Sequence, residues 1–437
     1  MTQRQELVSR LRAARQRTDA LFEWLKPEAL LERPIAERHR LIFYLGHLEA
    51  FDWNLISREA VGHASRNQHF ERLFAFGIDP IDGQLPRDTP DDWPAVADIK
   101  AWTKLVRADL DADLERGPMN GWLSEGWAAH LAIEHRLMHA ETLAYLFHRL
   151  PLEKLHPGPA PTRITGPAVE PTLVSIPAGV ATLGLQRSRA PHLGWDNEYE
   201  EHRVDVRAFR IDRFPVSSGD FARFVEAGGY QTRALWSDES WKWLATEQRT
   251  HPRAWTKRPD GWWTRTMFAE VPLPSSWPAS VSHAEASAYA AWKGARLMTE
   301  PEWHRAALGM HEGGERTSPW GGHPAVPGVH GTFGFSTVDP LPIGSTPESR
   351  SAFGVEELVG NGWEWTSTLF APFKGFEPLP FYQGYSANFF DGRHFVMKGA
   401  SAFTDTTFLR RSFRNWFQPH YPHVFSKFRC VYEGKGP

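Results

Sequence analysis

The chain has 437 residues, with 49 Lys and Arg against 52 Asp and Glu and a formal charge of −3. That length accommodates about two to three ordinary domains. The near-neutral charge gives no reason to expect nucleic acid or an anionic membrane as partner, and no run approaches the ~18 to 20 apolar residues of a membrane span. A single cysteine, Cys430, excludes an intrachain disulfide framework and fits a reducing compartment. With no apolar signal-peptide core at the start of the sequence, these features predict a cytoplasmic protein. Twenty tryptophans suggest extensive aromatic packing or an aromatic-walled pocket.

The first 150 or so residues read as helical. Leu7, Leu11, Ala14, Leu21 and Leu25 recur at helical spacing with arginines opposite them. A second helix is predicted from about Glu37 to Arg58, carrying Tyr44, Leu45, His47 and Leu48. A third repeats Ile99, Trp102, Val106, Leu110 and Leu114, and a fourth spans roughly Gly126 to Leu150. Four amphipathic helices with long connections predict a four-helix bundle, in which inward-facing side chains commonly build metal sites. The fourth helix contains His135-Arg136-Leu137-Met138-His139. A four-residue step returns to the same helix face, so both imidazoles can reach one metal ion, and His47 can complete the set from a neighbouring helix. Imidazole suits zinc, iron, copper and nickel, and three histidines leave coordination positions open. A bare HxxxH is more often two histidines at helical spacing than a metal site. Glu141 is either a partner orienting an imidazole or a solvated glutamate.

Five prolines, Pro157, Pro159, Pro161, Pro167 and Pro171, and two glycines fall between Leu155 and Thr172. Such a stretch reads as an extended linker. It divides the chain into a helical bundle at 1–155, a linker at 156–171 and a second domain at 172–437. Short apolar runs and many Trp, Gly and Pro turns give the second domain a loop-rich α+β texture. Two helices are announced by capping boxes, Ser282 with Glu285 and Thr299 with Glu302. No internal repeat supports a solenoid or propeller.

The second half resembles the formylglycine-generating, sulfatase-modifying fold, of C-type-lectin-like form. The motifs are Ile176-Pro177-Ala178-Gly179, Trp292 to Leu297 running into Thr299-Glu300-Pro301-Glu302-Trp303, Gly360 to Thr366, and Phe425 to Val431. Formylglycine generation works through a pair of cysteines, and the lone Cys430 excludes that chemistry here. The first half resembles the DinB-like metal-binding bundles. Their union resembles the ergothioneine synthase family, non-haem iron enzymes that join a sulfur or selenium donor to the imidazole carbon of hercynine. Tyr44-Leu45-Gly46-His47-Leu48 is similar to the family's first iron-ligand helix, His135 and His139 to its HxxxH pair, Gly194 to Glu198 to its characteristic loop, and Arg414-Asn415-Trp416 to its hercynine-holding segment.

The resemblance implies Fe(II) on His47, His135 and His139, O2 as co-substrate, and Asn415 and Trp416 presenting hercynine. The trimethylammonium of hercynine suits the face of an indole, and an adjacent amide can hydrogen-bond its carboxylate or ring. As one of twenty tryptophans, Trp416 also has a core-packing reading. Three residues depart from the sulfur enzymes. Phe373 stands where a catalytic tyrosine would be, and it can neither donate a proton nor be oxidised easily; Tyr382 and Tyr385 lie downstream at unmatched spacing. No tyrosine occurs from Arg58 to Trp102, the loop that supplies phenols in other members. Phe417 replaces an aspartate that contacts the amino group of γ-glutamyl-cysteine, and Met138 replaces a polar hercynine contact. These changes place a selenosugar donor, which carries no ammonium, ahead of cysteine or γ-glutamyl-cysteine. The competing expectations are an iron-dependent sulfoxide synthase, a DinB-type thiol transferase with zinc or nickel, and a non-enzymatic binding module.

Overall fold

Leu7, Leu11, Ala14 and Leu21 line one side of helix α1 (Gln3–Phe22) and are all buried, as their spacing requires. In the computed structural model, residues 3–75, 85–117, 121–161, 163–166, 169–187 and 194–433 are described, apart from the side chains of Trp122 and Glu125. The chain folds as two compact units, Met1–Gly158 and Pro159–Pro437. Arg163, in the proline-rich stretch, is held to the second unit by a hydrogen bond from Trp277 Nε1 to its carbonyl at 2.9 Å. Residues 162, 167 and 168 of that stretch lie outside the described residues.

The first unit is a four-helix bundle of α1, α2 (Leu41–Asp52), α4 (Val96–Arg116) and α5 (Trp127–Phe147), with a short α3 (Gln68–Leu73) between α2 and α4. Each of α1 and α2 packs against both α4 and α5. The second helix starts at Leu41, not near Glu37. The Arg38 amide donates to Ile35 O and the Leu41 amide to Glu32 O, each at 3.0 Å, which closes turns before the helix can begin. Beyond Asp52 the coil widens into a π-helical stretch, Trp53–Val61, ended by Gly62 in the left-handed region at φ 90°. No helix among the described residues is long and apolar enough to cross a membrane.

The second unit is loop-rich and built on small sheets. One four-stranded sheet has the order β1 (Leu173–Ile176), β4 (Phe209–Asp212), β13 (Cys430–Glu433), β8 (Arg296–Leu297). The other runs β11 (Asn415–Phe417), β10 (Phe395–Ala400), β9 (Gly362–Leu369), β12 (Ser426–Lys427). Two smaller antiparallel sheets pair β2 (Gly179–Leu183) with β3 (His202–Val206), and β5 (Trp255–Arg258) and β7 (Glu270–Pro272) with β6 (Gly261–Arg265) between them. Helices α6 (Ser218–Glu226) and α7 (Asp238–Thr246) begin at serine caps, Ser217 and Ser237. Helices α8 (His283–Trp292) and α9 (Glu300–Leu308) start at the two capping boxes, with Ser282 and Thr299 accepting from Glu285 N and Glu302 N. Ile211, Trp303, Phe333, Leu358 and Val431 share the buried core. Cys430 on β13 is fully buried, and its amide donates to Asp212.

Candidate active site

Helices α2 and α5 bring His47, His135 and His139 together, with one ring nitrogen of each within 4.8 Å of the others. His139 Nε2 lies 3.2 Å from His47 Nε2 and 3.1 Å from His135 Nε2. His47 Nδ1 lies 2.7 Å from the Phe74 carbonyl, which can only accept, so that nitrogen carries the proton and the Nε2 of neutral His47 is a bare lone pair. One proton on His139 Nε2 cannot bridge to both neighbours, whereas a single cation satisfies all three. Nitrogens about 2.1 Å from one ion are about 3.0 Å apart at a right angle and about 3.4 Å apart at a tetrahedral angle. The two separations at His139 fall between these values, and the remaining pair, His47 and His135, lies within 4.8 Å, so His139 shares with each neighbour the spacing of ligands to one divalent cation.

Aromatic rings fix the imidazoles. Phe43 and Phe51, four residues either side of His47, stack on His47 at 4.7 Å and on His135 at 3.5 Å. Tyr44 lies with its ring 5.8 Å from that of His139. All three histidines are buried, and Met138 is half-buried one residue before His139. Glu141 is half-buried on the same helix, and the group that orients His47 is a backbone carbonyl.

Gly46 has a defined part in this arrangement. A Cβ there would lie 2.4 Å from the Phe74 ring, the residue whose carbonyl orients His47. Gly46→Ala is therefore expected to push Phe74 away and weaken metal affinity by about 10- to 100-fold, the usual effect of losing a partner behind a ligand. Titration with Co(II) measures this, and wild-type affinity in the variant would refute it.

In the second unit, the sequence-predicted substrate residues Asn415, Trp416 and Phe417 form the edge strand β11, paired with Met397, Val396 and Phe395. Asn415 Oδ1 accepts from the Trp416 amide at 2.9 Å. Phe370 stacks on one face of Trp416 at 4.2 Å, nearly parallel, while Tyr385 meets it edge-on at 5.5 Å and Phe389 lies tilted against it at 5.6 Å. Tyr385 also stacks on Trp195 at 4.1 Å. The sequence offers Tyr385 as a substitute phenol only at unmatched spacing, because the turn that returns it to Trp416 leaves no periodic signal. Phe417 stacks on Tyr421 at 5.0 Å.

Buried Arg414 holds the strand. Its guanidinium pairs with Glu300 at 3.1 Å, donates to the carbonyls of Ala371 at 3.0 Å and Asn197 at 3.4 Å, and lies over Phe373 at 4.1 Å. Phe373 is thus a packing partner of Arg414, with its edge to His202 at 4.4 Å. In the Gly194–Glu198 loop, burial raises the Glu198 carboxyl, but a bidentate Arg410 and the Ser412 hydroxyl bring it below its ordinary range.

Residues 162–434 match the model of the sulfatase-modifying factor enzyme 1-like domain, and residues 10–143 that of the DinB superfamily. The hercynine oxygenase of Mycolicibacterium smegmatis is 35% identical over 345 residues, covering 77% of this chain and 78% of that protein. The chain belongs to the hercynine oxygenase family. The hercynine oxygenase of Mycolicibacterium thermoresistibile is 37% identical over 344 residues, 77% of this chain and 75% of its own length. Ergothioneine biosynthesis protein 1 of Neurospora crassa is 29% identical over 496 residues, 94% of this chain and 55% of that one.

In this member of the hercynine oxygenase family the trio is electrostatically prepared to stay neutral. Burial, partly offset by the Phe74 hydrogen bond, pushes His47 down to about 4. Burial and mutual repulsion hold His135 and His139 well below the usual imidazole range. The unfolded chain takes up these protons near about pH 6.5 and the folded chain resists them. Their stabilising contribution is therefore complete above about 6.5 and declines as pH falls below it, that of His47 being lost as pH falls through about 4. With no cation bound, stability should decline below pH 6.5 at a limiting slope of about 4 kcal/mol per pH unit. Urea unfolding of chelator-treated protein at pH 7 and pH 5.5 measures this, and equal midpoints would contradict it.

Proposed function

We propose that the chain is a mononuclear non-haem iron enzyme that uses O2 to join a chalcogen donor to the imidazole C2 of hercynine. His47, His135 and His139 are assigned to Fe(II), and Asn415, Trp416, Met138 and Phe417 to substrate contacts. The observation that carries this reading is the convergence of His47 Nε2 and His135 Nε2 on His139 Nε2 in a chain of the hercynine oxygenase family. Bound iron would supply oxygen activation and favour the deprotonated form of the donor. The protein's own part is positional. The Phe74 carbonyl fixes the His47 tautomer, and Phe43 and Phe51 fix ring orientation. Trp416 offers an indole face to the trimethylammonium group, and Arg414 anchors the strand that carries it.

The relatives favour a sulfur donor, as in an ergothioneine-type sulfoxide synthase using cysteine or γ-glutamyl-cysteine. A selenosugar donor is the second reading. It is favoured by Phe373, a phenyl ring engaged with Arg414 in place of a phenol, and by Phe417, which offers no carboxylate to an amino-acid donor. A cytoplasmic location is proposed with either donor.

Donor competition tests both readings. Anaerobically iron-loaded protein receives hercynine and O2 with cysteine, γ-glutamyl-cysteine, a thiosugar or a 1-selenosugar, and products are identified by mass spectrometry. A sulfoxide supports the first reading, and a selenium adduct with little sulfur product supports the second. No product from any donor would overturn the hercynine assignment and favour a zinc or nickel thiol transferase.

A further inference from the structure

Arg136 follows His135 directly, is 0% exposed, and has every N–H engaged. Nη1 donates to Glu49 Oε1 at 3.0 Å and Thr18 Oγ1 at 3.4 Å. Nη2 donates to the Leu48 carbonyl at 3.0 Å and Asp52 Oδ2 at 2.6 Å, and Nε reaches the same Asp52 oxygen at 3.2 Å. Leu48, Glu49 and Asp52 are one, two and five residues beyond His47 on α2. Glu49 Oε1 is also held by Arg107 of α4 at 2.6 Å, and Arg107 grips Asp19 of α1 at 2.7 and 2.8 Å. One connected network of charge therefore ties together all four bundle helices beside the histidine trio.

Apolar contacts are non-directional, whereas a planar guanidinium bound to two carboxylates and a carbonyl adds directional contacts that single out one register. The scale of the problem shows why this matters. Sliding α2 along α5 by one residue moves His47 by about 1.5 Å, while a coordinated nitrogen must lie within about 0.2 Å of its place. Buried ion pairs are poor sources of net stability, since desolvation offsets their attraction, but they can specify a single arrangement.

We propose that Arg136 is a positioning residue for the histidine centre, locking α2 against α5 in the register at which His47 meets His135 and His139. This rests on the metal assignment made above.

The test uses full-length protein and Co(II), whose visible band reports ligand geometry. Arg136→Met alone strands two buried carboxylates and is prone to misfold, so the decisive variant is R136M/E49L/D52L, in which all three charges become apolar. It should melt near the wild-type temperature, bind Co(II) about 10- to 100-fold more weakly, and show an altered band. Arg136→Lys keeps the cation without the planar fork and should recover only part of the affinity. Either variant, if folded, binding with wild-type affinity and an unchanged band would overturn the positioning role. If wild-type protein and a His135→Ala control bound Co(II) alike, the metal assignment itself would fall.

Discussion

Replacing His139 with alanine should abolish metal binding and all hercynine-dependent turnover while leaving the bundle folded. His139 Nε2 is within 3.2 Å of both partner nitrogens, so its loss removes the shared corner of the trio. An affinity loss well beyond the about 100-fold expected for a partner behind a ligand is anticipated, because a ligand itself is missing. The fold should survive because alanine is the strongest helix former and α5 keeps its buried leucines and alanines. Metal content by mass spectrometry and helicity by circular dichroism separate the two effects. Stoichiometric iron in His139→Ala would exclude this centre.

Arg414→Met should destabilise the second unit and weaken its hold on strand β11 together. It leaves Glu300 buried without its 3.1 Å partner; Lys398 Nζ, 3.8 Å away, compensates weakly. Removing one member of a buried pair costs about 3 to 5 kcal/mol. At about 2 to 4 °C per kcal/mol for a unit of this size, melting should fall by at least about 6 °C. The same change releases the Ala371 and Asn197 carbonyls, so KM for hercynine should rise more than kcat falls in the surviving folded protein. Unaltered melting would show the pair to be energetically neutral.

Local patterns made much of the architecture legible in the sequence. The helical spacing of Leu7 to Leu21 and of Ile99 to Leu114, and the capping boxes at Ser282 and Thr299, are realised in the structure because each depends on neighbours within a few residues. The four-residue step from His135 to His139 is of the same kind, and the structure brings His47 to that pair. What escaped notice depends on distant partners. The start of α2 is set by the amide that Leu41 gives to Glu32. The group orienting His47 is a backbone carbonyl at Phe74, which no side-chain pattern can announce. Phe373 reads as a lost phenol until Arg414 is seen over its ring, and nothing in the sequence marks Arg136, because its partner Asp52 lies eighty-four positions earlier.

Cys430 has a consequence for an enzyme proposed to handle chalcogens and oxygen together. It is the chain's only cysteine, is 0% exposed, and burial pushes its thiol far above the ordinary range. The folded surface therefore offers no thiolate to a reactive sulfur or selenium donor or to peroxide. No donor can be diverted into a mixed disulfide with its own catalyst, and no two copies can become crosslinked through oxidised sulfur.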